Sequence, residues 1–289
     1  MRYFILLLYW IAILCLDTAA QDTCKTTIHY GSNTNAGAFA KINGIRMYYE
    51  TYGRTGKPTL LLIHGNGDAI HSMRCQIEHF KDKYSVIIAD SRAHGKTENG
   101  KKELTYELMA QDYNALLDHL QVDSAYIIGQ SDGGIISLLL AMEYPSKCKR
   151  IVAMAPNLRP DTTALFKWAT DLTKRGLAIM EKQLGEGDKS PELLRKKMHY
   201  DLMDKHPNIA TANLSNIKVP VLIMSSDEDL IVPEHILEIY RAIPKANLLV
   251  LPAATHFMLR EEYKLFNQMA ERFLEKPFKK PTTEAILNN

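Results

Sequence analysis

Six short, uninterrupted apolar runs, at residues 59–63, 85–89, 125–128, 151–155, 219–224 and 247–251, restrict this chain more than any other feature. A strand with one face in water alternates apolar and polar residues, whereas continuous apolar strands need a sheet covered on both faces. Helical patterns fill the gaps. Residues 104–120 carry Leu108, Leu116, Leu117 and Leu120, and 135–142 follow the run at 125–128. Ahead of them, 42–52 alternates around Asn43-Gly44, a pair suited to a two-residue hairpin turn. The pattern predicts an α/β fold: a mostly parallel eight-stranded sheet, opened by an antiparallel hairpin, with helices on both faces.

One connection breaks the rhythm, because about 60 residues separate the runs ending at 155 and starting at 219, far more than a crossover needs. Within it 161–184 reads as a helix with Leu165, Trp168 and Leu172 on one face, Gly185-Glu186-Gly187 ends it, and 191–203 reads as a second helix. A helical cap inserted at about 157–215 is the expectation, with a side-packed elaboration as the alternative. Phe166, Trp168, Met180 and Met203 read as packing rather than specificity residues of that insertion, with some of them lining whatever pocket the cap roofs.

The ends read differently. Met1-Arg2, an apolar run at 3–16 and the small residues Thr18-Ala19-Ala20 have the order of a secretory signal peptide over residues 1–20. The run is shorter than the roughly 20 residues that a spanning helix needs. The expectation is a secreted or periplasmic protein without stable membrane insertion after cleavage, with a signal anchor as the alternative. A leader at 21–40, a domain at 41–275 and a loose tail at 276–289 follow. Past residue 20 three cysteines remain, Cys24, Cys75 and Cys148. Three cannot all pair within one chain, their spacing suits no metal, and buried or free thiols are the expectation. Of 289 residues, 35 are Lys or Arg and 33 Asp or Glu, and this near-balance gives no electrostatic reason to expect a nucleic-acid partner.

Gly129-Gln130-Ser131-Asp132-Gly133-Gly134 fits G-x-S-x-G, and a strand pattern runs into it while a helix pattern leaves it. A strand–serine–helix elbow forces the serine into a strained backbone conformation and needs small neighbours. It exposes the Ser131 hydroxyl and sets the Asp132 N–H at a helix N-terminus, where an oxyanion can be held. A nucleophilic serine also needs a base and a group that orients the base. The run at 219–224 is followed by Asp227, Glu228 and Asp229, and the run at 247–251 by His256. The order Ser131, acid, His256, each just past a strand's C-terminal end, is that of an open α/β sheet.

With these residues the chain resembles the α/β-hydrolase fold superfamily over residues 42–275. His64-Gly65-Asn66-Gly67 is similar to the family's oxyanion loop. Asp90-Ser91-Arg92-Ala93-His94-Gly95-Lys96-Thr97 resembles its D-x-R-G-x-G-x-S loop, with Ala93 in place of a glycine and Thr97 in place of the serine. Asp229-Leu230-Ile231-Val232-Pro233 resembles the segment that carries the acid, which favours Asp229 over Asp227. The resemblance implies a cofactor-free catalytic triad of Ser131, Asp229 and His256, with the backbone N–H groups of Asn66 and Asp132 as oxyanion donors. The elbow is most similar to that of valacyclovir-hydrolase-type serine esterases.

The side chain of Asp132 has two readings: an elbow filler, or a carboxylate facing the acyl pocket that attracts a substrate ammonium group. His64, Arg92 and His94 read as structural hydrogen-bonders. His71, His79, His119, His199, His206 and His235 read as surface or core residues, without the spacing of metal ligands, and no phosphate-binding loop is present. The expected function is a serine hydrolase acting on a small carboxylic ester, amide or thioester through an acyl-enzyme. A carbon–carbon bond hydrolase, or a cofactor-free perhydrolase with the same triad, is the alternative. From another class, a non-catalytic binding protein on this scaffold has no need of all three residues. Serine at the elbow argues against the dehalogenases and epoxide hydrolases of the family, which use aspartate there.

Overall fold

The computed structural model describes residues 24–287; the expected signal peptide lies outside them. Among the described residues the elements run β1 (Gly37–Ile42), β2 (Ile45–Tyr52), β3 (Thr59–Ile63), α1 (Arg74–Phe80), β4 (Ser85–Ala89), α2 (Tyr106–His119), β5 (Ala125–Gln130), α3 (Asp132–Glu143) and β6 (Cys148–Met154). Then follow α4 (Lys167–Gly185), α5 (Pro191–Lys205), β7 (Val221–Glu228), α6 (Pro233–Ala242), β8 (Ala246–Thr255), α7 (Met258–Glu261), α8 (Tyr263–Glu275) and α9 (Thr283–Leu287).

Eight strands form one sheet in the order β1-β2-β4-β3-β5-β6-β7-β8. The hairpin β1–β2 and the β2–β4 pair are antiparallel and every later pair is parallel. Asn43 and Gly44 both take positive φ, 43° and 77°, as a two-residue turn matched to strand twist requires. The continuous apolar runs become the central strands, and Leu60, Leu61, Leu62 and Ile63 are wholly buried. Right-handed crossovers fix the layers. The chain moves one way across the sheet from β3 to β4 and the other way from β4 onward, so α1 lies on one face and α2 and α3 on the other. After β8 the chain returns to the α1 face, where the Gln76 side-chain amide of α1 donates to the Leu259 carbonyl (2.9 Å) and to Asn267 Oδ1 of α8 (3.1 Å).

Three expectations are corrected. The leader ends early, because β1 takes residues from Gly37. The first cap helix starts at Lys167, not 161, since Asp161 Oδ1 accepts the Thr163 N–H in a local turn and Leu165 pairs with Ile231. Cys24 and Cys75 are not free thiols: they form a disulfide with their Cα atoms 5.4 Å apart, and among the described residues Cys148 is the one reduced cysteine, and it is buried. Spacing of 51 residues gave no hint of that approach, which depends on how the leader lies over α1.

The leader is held by more than the disulfide. The buried Glu50 carboxylate accepts the N–H groups of Gly31 (2.9 Å) and Asn33 (3.0 Å) and the hydroxyls of Tyr48 (2.8 Å) and Tyr52 (2.7 Å). Thr26 and Tyr30 both donate to Glu78 on α1. The tail is also anchored in part, since Asn247 Nδ2 donates to the Lys279 carbonyl.

Candidate active site

The elbow between β5 and α3 is built by close approach. Ser131 has φ 53° and ψ −113°, and its N–H donates to the Met154 carbonyl at 2.8 Å. A Cβ at Gly129 would stand 2.0 Å from the Gly133 carbonyl oxygen, and one at Gly133 would stand 2.1 Å from that of Ile63. Both positions therefore exclude any side chain. α3 begins at Asp132, directly after Ser131.

Two other strand ends deliver partners to Ser131. His256 follows β8, and its Nε2 lies 3.1 Å from Ser131 Oγ while its Nδ1 lies 2.6 Å from Asp229 Oδ1. Asp229 follows β7 and is buried, and its Oδ1 also accepts the N–H groups of Leu230 (2.7 Å) and Ile231 (3.2 Å). The hydroxyls of Ser225 (3.3 Å) and Ser226 (3.2 Å) donate to Oδ2. Burial raises the Asp229 pKa, but the His256 hydrogen bond, the His256 charge and the two N–H groups outweigh it and hold the carboxyl below its usual range. The arrangement can draw a proton from Ser131 to His256 and stabilise the resulting imidazolium.

Asp227, two residues before Asp229, lies elsewhere. It is exposed at an irregularity in the β7–β8 pairing, where its carboxylate accepts the N–H groups of Ala253 (2.9 Å) and Ala254 (3.2 Å). It props the bend at Ala253, whose φ is 55°. Two acids two residues apart thus divide the work: one holds the strand end, the other meets the histidine.

The loop after β3 passes over the elbow. A Cβ on Gly65 would touch that of Ser131 at 3.4 Å, which sets Asn66 beside the serine. His64 fixes the loop: its Nδ1 donates to the Gly65 carbonyl (2.8 Å) and its Nε2 accepts the Ser91 N–H (3.0 Å). Burial lowers the His64 pKa and keeps the ring neutral, as both bonds require. Arg260 of α7 pairs with Asp68 at the loop's far end.

Asp132 is only 4% exposed, and its carboxylate turns into the protein. Its Oδ1 accepts the Tyr106 hydroxyl (2.8 Å), and its Oδ2 accepts the Asn66 side-chain amide (2.9 Å). Burial raises its pKa to about 6 against these two donors and the nearby His256 charge. The loop at 90–97 is likewise structural. Arg92 grips Asp112 of α2 with two bonds of 2.7 Å, and Ala93 takes φ 64°, the left-handed conformation that a glycine would adopt freely.

The cap meets the site through α5. His199 stacks on His94 with ring centroids 3.9 Å apart, its Nε2 donates to the Ala93 carbonyl (2.8 Å), and its own carbonyl accepts from Asn66 Nδ2 (3.4 Å). The packing expectation holds for buried Met180 but not for Phe166 and Trp168, which are 39% and 56% exposed. The Phe166 N–H donates to the Leu230 carbonyl beside Asp229, and the ring of half-exposed Phe257 lies edge-on to that of His256, centroids 5.9 Å apart. Tyr106, His199 and Arg260 carry no motif, and nothing in the sequence pattern marks their part in holding the site. Among the described residues no cluster of His, Cys, Asp and Glu could hold a metal ion.

Residues 58–186 match the family model described as alpha/beta hydrolase fold. An uncharacterised hydrolase of Bacillus subtilis, YugF, is 25% identical over 81% of this chain and 96% of its own. The human serine hydrolase BPHL is 24% identical over 85% of this chain and 88% of its own. The crystal structure of an enol-lactonase from Burkholderia xenovorans superposes with a TM-score of 0.69 at 21% identity, covering 83% of this chain and all of that one.

Proposed function

We propose that this chain, an α/β-hydrolase-fold protein, is a serine hydrolase that cleaves small carboxylic esters through an acyl-enzyme. The observation that carries the reading is the continuous relay from Ser131 Oγ through His256 to Asp229, with contacts of 3.1 and 2.6 Å. His256 takes the proton as Ser131 attacks the carbonyl, and Asp229 holds the imidazole tautomer and its charge. The N–H groups of Asn66 and Asp132 bind the oxyanion. His256 then returns the proton to the leaving group and activates the water that releases the acid. The exposed ring of Phe257, edge-on to His256, gives an acyl or alcohol group an apolar contact beside the site. Short and medium acyl chains should turn over best, and efficient hydrolysis of long-chain triglycerides at an interface would contradict this.

A fluorophosphonate probe tests the chemistry. The native protein should be labelled and Ser131→Ala should not. Labelling that persists in the variant, or is absent from the native protein, overturns the reading.

Export from the cytoplasm belongs to the same proposal. It is supported by the signal-like residues 1–20 and by the Cys24–Cys75 disulfide, a bond favoured in oxidising compartments. Fractionation of the native host, with an antibody to the chain, should find it outside the cytoplasm and beginning near Gln21.

A further inference from the structure

The two oxyanion donors of the proposed mechanism sit on different segments, one on the loop after β3 and one at the start of α3. A hydrogen bond weakens steeply as its angle departs from linear, so two donors that share one oxygen must keep their mutual position. The short side-chain link between them is the 2.9 Å bond from Asn66 Nδ2 to Asp132 Oδ2, which joins residues 66 positions apart in the chain. We infer that the Asp132 side chain is a positioning residue for the oxyanion site, clamping the Asn66 loop to the elbow whose own N–H completes the pair.

The inference rests on the serine-hydrolase reading and deepens it. Tyr106 holds the other carboxylate oxygen at 2.8 Å and so fixes the rotation of the group. Tyr106 is itself set by the start of α2, where the Thr105 hydroxyl accepts the Leu108 N–H at 3.1 Å. Asn66 gives a further contact to the cap, at the His199 carbonyl (3.4 Å). One buried carboxylate thus joins the elbow, the oxyanion loop and α2, and through Asn66 the cap. In so dry a setting each bond is stronger than in water. The alternative, recognition of a substrate ammonium group, would require the ligand to reach a 4% exposed side chain and displace both of its donors. The geometry also tolerates a proton: a protonated Asp132, or an asparagine, can donate to the Tyr106 oxygen and still accept from Asn66.

The test compares the native enzyme with Asp132→Ala, Asn66→Ala, their double variant and Asp132→Asn, using p-nitrophenyl acetate for turnover. Phenylboronic acid, which forms a tetrahedral anion on a reactive serine, serves as the oxyanion mimic. Thermal melts establish that each variant is folded at the assay temperature. Each alanine variant keeps both backbone N–H groups, yet kcat should fall roughly 10- to 100-fold with KM within about twofold. The double variant should lose no more than the worse single, because one link cannot be broken twice. Asp132→Asn should recover most of the loss, and boronate affinity should fall in step with kcat. Additive losses, or a loss confined to KM, overturn the inference. So does loss, in Asp132→Ala, of a native preference for an α-amino ester over its des-amino analogue, which would make Asp132 a recognition group. Full turnover in Ser131→Ala sinks the serine-hydrolase reading itself, and the clamp with it.

Discussion

At the scale of single residues the site is a set of buried polar groups whose partners decide their charge. Asp229 and Asp132 are both buried carboxylates, yet the first is held below its usual range and the second is raised to about 6. Asp229 faces the histidine and two peptide N–H groups, whereas two neutral side chains do not fully offset the desolvation of Asp132. The signs of their contributions to stability are therefore opposite. Asp229 stabilises above its unfolded value and loses that contribution as the pH falls. Asp132, raised from 3.8, contributes fully below about pH 4 and loses that contribution as the pH rises through about 6. Relative to Asp132→Asn, the native protein should lose on the order of 3 kcal/mol between pH 4 and 7, read by urea melts at both values. A difference that does not change with pH would contradict the assignment. Asp229→Asn, which disturbs the histidine tautomer with little change of shape, should lower kcat about 10⁴-fold in steady-state ester hydrolysis.

At the scale of elements the site depends on which strand ends and loops meet. The loop at 90–97 is anchored by Arg92, 1% exposed and paired with Asp112 of α2. Removing one partner leaves a buried charge alone, so Asp112→Ala should cost about 3–5 kcal/mol in a denaturant melt. The double variant Arg92→Met with Asp112→Leu should regain much of it, and equal losses in both would show that packing, not charge, sets the cost. The strands were legible because burial on both faces removes polar residues from them, and that signal survives without any partner in view. The elbow was legible because Gly129 and Gly133 have no room for a Cβ. Element bounds were less so: β7 runs on through four polar residues to Glu228 and β8 through Pro252 to Thr255, extensions that only their mutual pairing explains. The sequence offers three acids at 227–229, and only the bend at Ala253 separates the one that props it from the one that meets His256. Tyr106 had no signal at all, because its hydroxyl reaches Asp132 only through the packing of α2 beside α3.

At the scale of the whole molecule, one sheet gathers Ser131, Asp229 and His256 at the C-terminal ends of β5, β7 and β8, while the leader fastens the opposite flank through Cys24–Cys75 and Glu50. The disulfide spans 51 positions, and the chain-entropy account gives it up to about 4 kcal/mol. Reduction should lower the melting temperature by several degrees, and Cys148 should stay unreactive until the fold opens, because burial pushes its thiol up to about 12. An unchanged melting temperature would mean that Glu50 and Glu78 hold the leader without it. The central claim, that Ser131 carries the acyl group, is tested most directly by mixing the native protein with excess p-nitrophenyl acetate, quenching in acid and measuring intact mass. The account predicts a burst of nitrophenol near one equivalent per protein and an acetyl group on the peptide that contains Ser131, both lost in Ser131→Ala. An acetyl group on another residue, or steady turnover by Ser131→Ala, would contradict it.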